Sequence, residues 1–354
     1  MSAAQRYLVF ISDADQLCGV EAFTRLLAGH FGARAETHVL DADVAGTVRA
    51  LKGVDAVVFN FPIVAWKPKL IAPGLMALLA RLMGRDVVVV LHEWLALDWK
   101  RRVVLAPVVA LASRIGFSAP EIADEFAGTR FSRLVTGRRS VVPVPPNIVP
   151  PASFAETDQS RALRAQRQAG RLMLGQFGSI YPKKQSNAVL QVAADLIGRG
   201  HDIGVVFAGS FIKAMDTVEE DFWAEVGALG LTDRVVVTGY IADDAALAAV
   251  FGEIDVFCYL FPEGLTSRRG SVLAAALSGK PVVVNAPVEA GALDHHALFQ
   301  RLLALGALHL VPTRADTAVV AEAVLAASRE APKALDSGTE IAALWRVICA
   351  RIDG

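Results

Sequence analysis

A chain of 354 residues, 54% hydrophobic and 20% charged, suits two globular domains that each bury a core, and it excludes a disordered protein. The formal net charge is −1, with no long basic tract, which argues against nucleic acid as the main partner. Cys18, Cys258 and Cys349 lack CxxC spacing, disfavouring disulfides and zinc, and no apolar run is long enough to span a bilayer, so a cytoplasmic protein is expected.

The first predicted strand is Tyr7–Ser12. A loop holding Asp13 and Asp15 leads through Cys18-Gly19-Val20-Glu21 into a helix with Val20, Phe23, Leu26, Leu27 and Phe31 on its apolar face. By itself Gly19 reads as an ordinary strand-to-helix turn. Strands follow near Ala35–Leu40, Asp55–Asn60 and Asp86–His92, and this strand-helix alternation predicts a parallel, doubly wound sheet. His92 stands at the carboxyl end of a buried strand, the edge where open α/β sheets place ligands, although a lone histidine also serves structurally. Ala96 excludes the His-Glu-x-x-His zinc motif that His92-Glu93 begins.

Trp66–Arg85 and Trp99–Ser113 are basic and apolar together, the composition of a membrane-surface element. Helices that cover a sheet are apolar as well, and Pro73 and Pro107 are expected to interrupt long helices. Further strands are read at Arg114–Ser118 and Arg139–Val144. The proline-rich run VVPVPPNIVPP and the polar residues 152–170 then mark a domain boundary, placed at 160/161.

The alternation restarts with a strand at Leu172–Gly178, the run SIYPKKQ and a helix from Ser186 to Ile197. Strands at Ile203–Ala208, ended by Gly209-Ser210, and at Arg234–Thr238, ended by Gly239-Tyr240, come next; by itself Tyr240 is a half-buried tyrosine at a strand end that needs no ligand. Ile254–Asn285 carries the strongest signal: a buried strand (Ile254–Leu260), a polar loop (Phe261–Ser267), a short helix (Arg268–Leu277), a glycine stop and a strand (Pro281–Asn285). Thr266 or Ser267 is expected to cap the helix and Gly279 to end it. Arg268, Arg269, Gly270 and Ser271 would then form the first turn, where unpaired N–H groups and the dipole favour an anion. Two arginines there oppose the dipole unless something negative binds between them. A phosphate or diphosphate fits, and the Glu263 carboxylate beside Gly264 would accept hydrogen bonds from the hydroxyls of an attached sugar. The alternative is an exposed arginine pair in an ordinary turn. A strand near 308–312 and a last helix from Thr339 to Ile352 complete the chain.

On these residues, segment 254–285 resembles the donor site of retaining glycosyltransferases with the GT-B fold, in particular the family-four group (glycosyl transferases group 1). The usual pattern there is a strand, Glu-Gly-Phe-Gly, a helix carrying a second Glu, then Gly-x-Pro-Val. The second glutamate would fall at Ala274 or Ser271, neither of them acidic, and the longer loop through Ser267, Arg268, Arg269 and Gly270 is similar to the Ser-x-Arg-Arg-Gly donor loop of a variant subgroup. The resemblance implies an α/β architecture of two Rossmann-like, doubly wound domains facing across a cleft. Residues 1–160 would form the acceptor side and 161–338 the nucleotide-sugar side, with the helix of 339–354 crossing back.

Residue by residue, the family's Gly-Gly-x-Glu lies at Cys18–Glu21, with Cys18 in place of the first glycine, and its donor-sugar histidine falls at His92. Its diphosphate-binding arginine and lysine fall at Ser179, after Gly178, and at Lys184, so that Arg268 or Arg269 would replace the arginine. Its interdomain Pro-Asn-Gly corresponds to Pro146-Asn147, with Ile148 for the glycine. The implied reaction moves a sugar from a UDP- or GDP-sugar to an acceptor hydroxyl with retention, without metal or cofactor. His92 and Glu263 would be catalytic; Gly19, Gly178, Ser179, Lys184, Gly209, Tyr240, Gly264, Thr266, Ser267, Arg268, Arg269, Gly270 and Ser271 would hold the donor. The implied acceptor is a glycan, a lipid-linked or a small molecule in polysaccharide or other glycoconjugate synthesis, lipid-linked if the basic apolar segments touch the inner face of the membrane.

The absence of Gly-x-Gly-x-x-Gly after a strand disfavours nicotinamide and flavin cofactors, and Pro281 after Gly279-Lys280 rules out an ATPase P-loop. Asp13-Ala14-Asp15 and Asp41-Ala42-Asp43 look like metal-holding pairs of the other large glycosyltransferase fold, yet acidic pairs are frequent in loops. His295-His296 reads as a solvated loop. A non-catalytic or regulatory sugar-nucleotide-binding homologue and a GT-B epimerase stay open beside the transferase.

Overall fold

The computed structural model describes residues 4–14, 18–41, 43–69, 71–149, 151, 153–212, 217–331, 333 and 335–354; Asp15 and Ala42 of the two acidic pairs lie outside the described residues. The chain divides into two compact units, Met1–Pro145 with Ala342–Gly354, and Pro146–Ile341.

In the first unit the order is β1 (Tyr7–Ile11), α1 (Gly19–Phe31), β2 (Ala35–Val39), α2 (Val44–Leu51), β3 (Ala56–Phe61), α3 (Ala72–Leu82), β4 (Asp86–Leu91), α4 (Trp99–Ala110), β5 (Arg114–Phe117), α5 (Pro120–Ala127) and β6 (Arg138–Val141). The sheet runs β2-β1-β3-β4-β5-β6 with every neighbour parallel. Parallel neighbours need crossover helices, and these cover both faces, which is why β3 and β4 are apolar almost throughout.

The second unit repeats the plan with α6 (Asp158–Gln168), β7 (Leu172–Phe177), α7 (Ser186–Gly198), β8 (Ile203–Ala208), α8 (Val218–Ala228), β9 (Val235–Val237), α9 (Asp244–Gly252), β10 (Val256–Tyr259), α10 (Gly270–Leu277), β11 (Val282–Asn285), α11 (Ala297–Ala304), β12 (Leu308–Val311), α12 (Thr317–Ser328) and the start of α13 (Ser337–Asp353). Its sheet runs β12-β11-β10-β7-β8-β9, again all parallel. Residues 146–160 belong to this unit: the Asn147 N–H donates to Gly270 O at 3.3 Å and the Ala155 N–H to Ala245 O at 3.1 Å. The end of α13 completes the core of the first unit. Trp345 stacks on Phe23 and on His30, the Tyr7 hydroxyl donates to Asp353 Oδ1 at 2.6 Å, and Arg114 Nη1 donates to Ile352 O at 2.6 Å.

Two local expectations are corrected. Pro73 sits in the first turn of α3, where its missing N–H costs nothing, and Pro107 lies inside α4 without ending it. Burial of Leu105, Val108 and Val109 holds that helix together across the lost hydrogen bond. His296 is not in a solvated loop: it is fully buried and caps α11, its Nδ1 accepting from the Phe299 N–H at 3.4 Å. Cys258 is buried within β10. Among the described residues no helix is long and apolar enough to cross a membrane.

Candidate functional site

In an open parallel sheet, ligands settle beyond the carboxyl ends of the strands where the strand order reverses. In the second unit that point lies between β7 and β10, so the loops after these two strands define the site. The loop after β7 ends in a 3-10 turn, Pro182–Lys184, that delivers Lys184 directly ahead of α7. The loop after β10 carries Glu263 to Arg269 and leads into α10.

These loops bring Lys184 and Ser271 together. Lys184 is buried, and its Nζ donates to Ser271 Oγ at 3.0 Å and lies 5.8 Å from the centre of the Tyr259 ring. A buried cation ordinarily pairs with a carboxylate; here the partner is a neutral hydroxyl. Burial, with the nearby Arg269 guanidinium adding to it, pushes the ammonium down to about 7. Gly178 gives it room, since a Cβ there would stand 2.9 Å from Lys184 Nζ. Gly209, after β8, presses on the same glycine: a Cβ on Gly209 would lie 2.2 Å from Gly178 O.

The loop 261–269 departs from its expected form. A turn closes from Thr266 to Arg269, whose N–H donates to Thr266 O at 3.2 Å, and it leaves Arg269 in a non-helical conformation, φ −87° and ψ 69°. Helix α10 therefore begins at Gly270, not Arg268, and no side chain caps it; Thr266 and Ser267 stand in the turn ahead of it. Only Gly270 and Ser271 occupy the first turn, and both arginines precede it. Gly279, with φ +81°, follows the helix end. Among the described residues the hydroxyls of Thr266 and Ser267 and Nε of Arg269 are buried without a hydrogen-bond partner. Arg269 stacks over the Phe261 ring at 4.1 Å and is ion-paired with Glu263, so the carboxylate and one of the two arginines are joined to each other. Burial draws the Arg269 guanidinium down from its ordinary value, opposed by the neighbouring Tyr181. Gly264 is buried against Ala286.

Ser179 is exposed, and Tyr240 is 80% exposed after Gly239. Ala274, one of the two places for the second glutamate, is fully buried within α10, and the other is Ser271, the partner of Lys184.

In the first unit, His92 follows the last residue of β4 and is buried edge-to-face against Phe23 of α1, with ring centres 5.0 Å apart. Gly19 is the first residue of α1. Glu21 is turned into the fold: its carboxylate accepts from the Ser12 N–H at 3.0 Å and from Arg25 Nε at 3.0 Å. Beside it, Ser12, Cys18, Ile63 and Val64 line part of a cavity of about 190 Å³. Among the described residues no group of three or more His, Cys, Asp or Glu side chains is placed to hold a metal ion.

Two positioning residues escaped the sequence. Asn285, at the end of β11, pins the start of the 261–269 loop: its Oδ1 accepts from the Phe261 N–H at 2.9 Å and its Nδ2 donates to Phe261 O at 2.5 Å. The Tyr259 hydroxyl accepts from the Phe177 N–H at 3.0 Å and donates to Ser271 O at 3.3 Å, tying the β7 end to α10; burial pushes this phenol up. The available signal was a polar residue closing the apolar run VVVN and a tyrosine within VFCY.

No protein-family model matches the chain. A 2-deoxystreptamine glucosyltransferase of Streptomyces kanamyceticus is 31% identical over 146 residues, 40% of this chain and 36% of the relative, so the match spans about a third of that protein. Among solved structures, sucrose-phosphate synthase from Thermosynechococcus elongatus matches with a TM-score of 0.64 and 17% identity over 98% of this chain and 97% of its own. HepE of Anabaena, in complex with UDP and glucose, matches with a TM-score of 0.62 and 16% identity over 98% of this chain and 94% of its own. At such identity the likeness is one of architecture, and it coincides with the two parallel six-stranded sheets: the chain has the GT-B fold of glycosyltransferases.

Proposed function

We propose that the protein is a retaining glycosyltransferase that moves a sugar from a UDP- or GDP-sugar to an acceptor hydroxyl, on a glycan, a lipid-linked or a small molecule, in glycoconjugate synthesis on the cytoplasmic side. One observation carries this above the others: Lys184 is buried on a neutral hydroxyl, beside a second cation and the start of α10. An anionic ligand would favour the charged form of a lysine so placed. The transition state of sugar transfer from a nucleoside diphosphate develops negative charge on the departing diphosphate, and cations fixed in a low-dielectric site stabilise it. Lys184, Arg268 and Arg269 would do this without a metal, the arginines standing in for the one missing at Ser179, as in the Ser-x-Arg-Arg-Gly variant subgroup. The hydroxyls of Thr266 and Ser267 have hydrogen-bonding capacity left for donor oxygens. Glu263 would exchange its bond to Arg269 for the sugar hydroxyls, and His92 is assigned to the sugar as well. The names of the Streptomyces kanamyceticus relative, a glucosyltransferase, and of the HepE structure, which holds UDP and glucose, support the choice of donor.

A second assignment, a non-catalytic sugar-nucleotide binder, is favoured by Ser271 and Ala274 standing where the second glutamate belongs. A thermal-shift panel of nucleoside diphosphates and their sugars, run with and without EDTA, tests donor binding. A ligand at a hundred times its dissociation constant adds about 2.7 kcal/mol, a shift of several degrees. A shift with one base only, indifferent to EDTA, supports the donor site; subsequent transfer or slow hydrolysis, with the anomer followed by NMR, separates enzyme from binder. No shift across the panel overturns both.

A further inference from the structure

Helix α3 has two apolar faces. Pro73, Met76, Ala77 and Ala80 are buried. On the opposite side Ile71, just ahead of the helix, and Leu75, Leu78 and Leu82 are exposed, Ile71 by 80%. Their spacing of four, three and four residues draws them into one stripe at about 3.6 residues per turn. Helix α4 packs beside α3 and repeats the pattern, burying Leu105, Val108 and Val109 while Trp99, 65% exposed, and Val103 stand on the outside one turn apart. Scattered exposed apolar residues are ordinary; two adjoining stripes mark an interaction surface.

Charge decides the partner. Segments 64–85 and 99–113 contain lysines and arginines and no aspartate or glutamate, and the bordering Asp86 and Asp98 are already paired with Arg81 and Arg101. Lys100 and Arg102 flank the Trp99 stripe, each about 100° from the residue beside it, and the Lys100 ammonium lies 5.9 Å from the Trp99 ring centre. In a two-fold contact between copies, these cations would meet one another with no acidic residue of either segment to balance them. An anionic lipid surface takes both features at once: apolar side chains enter the acyl boundary and the cations remain at the level of the phosphates. We propose that the outer faces of α3 and α4 dock the protein on anionic lipid bilayers, whether or not it transfers a sugar.

The full chain is sedimented with vesicles of phosphatidylcholine, pure or mixed with phosphatidylglycerol. Binding to the mixed vesicles and not the pure ones is expected, with release at high salt. Lys67→Glu and Lys100→Glu should each lower partitioning at least about fivefold, and Leu78→Ser with Leu82→Ser should abolish it. All four positions are exposed, and an unchanged melting temperature together with a retained nucleotide-induced shift shows that fold and donor site are intact. Equal binding to both kinds of vesicle, partitioning that neither set of variants alters, or self-association in sedimentation velocity that Leu78→Ser removes in place of vesicle binding would each overturn the proposal.

Discussion

The ammonium of Lys184 lies 3.0 Å from the hydroxyl oxygen of Ser271, a buried cation resting on a neutral partner. Burial and Arg269 both work against its charge, and a bound diphosphate would supply what restores it.

Proton uptake on binding follows from this. With the unliganded ammonium at about 7, Lys184 is mostly neutral at about pH 8.5, and a diphosphate returns its proton. Calorimetry of UDP binding in two buffers of different ionisation enthalpy should show uptake approaching one proton, with affinity falling about tenfold per pH unit above 7. Lys184→Met should remove the uptake. Binding of UDP by the unaltered protein without proton uptake would count against Lys184 as the phosphate ligand.

Stability without ligand should rise with pH. The folded-state value lies below the ordinary 10.5 of an unfolded lysine, so between about 7 and 10.5 the unfolded chain binds more protons than the folded one. Denaturant titrations from about pH 7 to 9.5 should show the unaltered protein gaining on Lys184→Met across that window. A constant difference between the two would place the ammonium in a wetter setting.

If Arg268 and Arg269 replace the arginine missing at Ser179, transfer should depend on them. Arg269→Ala and Arg268→Ala should each lower kcat/KM by about 10²–10³, and Ser179→Arg in the Arg269→Ala background should recover part of it. Full activity in both alanine variants, with activity lost in Lys184→Ala, would sink the idea.

Asn285→Leu should loosen the 261–269 loop. It leaves the N–H and C=O of Phe261 without their side-chain partner, at a cost of about 1–3 kcal/mol in unfolding free energy. If that loop binds the nucleotide sugar, the donor KM should rise by more than the acceptor KM, measured in the same assay, because Asn285 holds the start of the loop.

Strands were legible along the chain because a parallel sheet covered on both faces demands unbroken apolar runs: VVVV of β4 and VVVN of β11 need no partner to be read. His92 could be placed at a strand end for the same reason. The start of α10 could not be read, since the turn that takes Thr266 to Arg269 out of the helix competes with helical propensities that are equally local. His296 looked like loop because its burial depends on what packs over it.

Periodicity and punctuation along the chain therefore carried the alternating elements, the parallel sheets and the identity of the charged loop. Pairings across the fold were another matter. Lys184 meets Ser271 across 87 positions of sequence and Asn285 reaches back 24 positions to Phe261. Glu263 closes on Arg269 inside a turn. Hydrogen bonds and ion pairs act over a few ångströms, and which groups come that close is set by how strands stack and loops turn, not by the residue types alone.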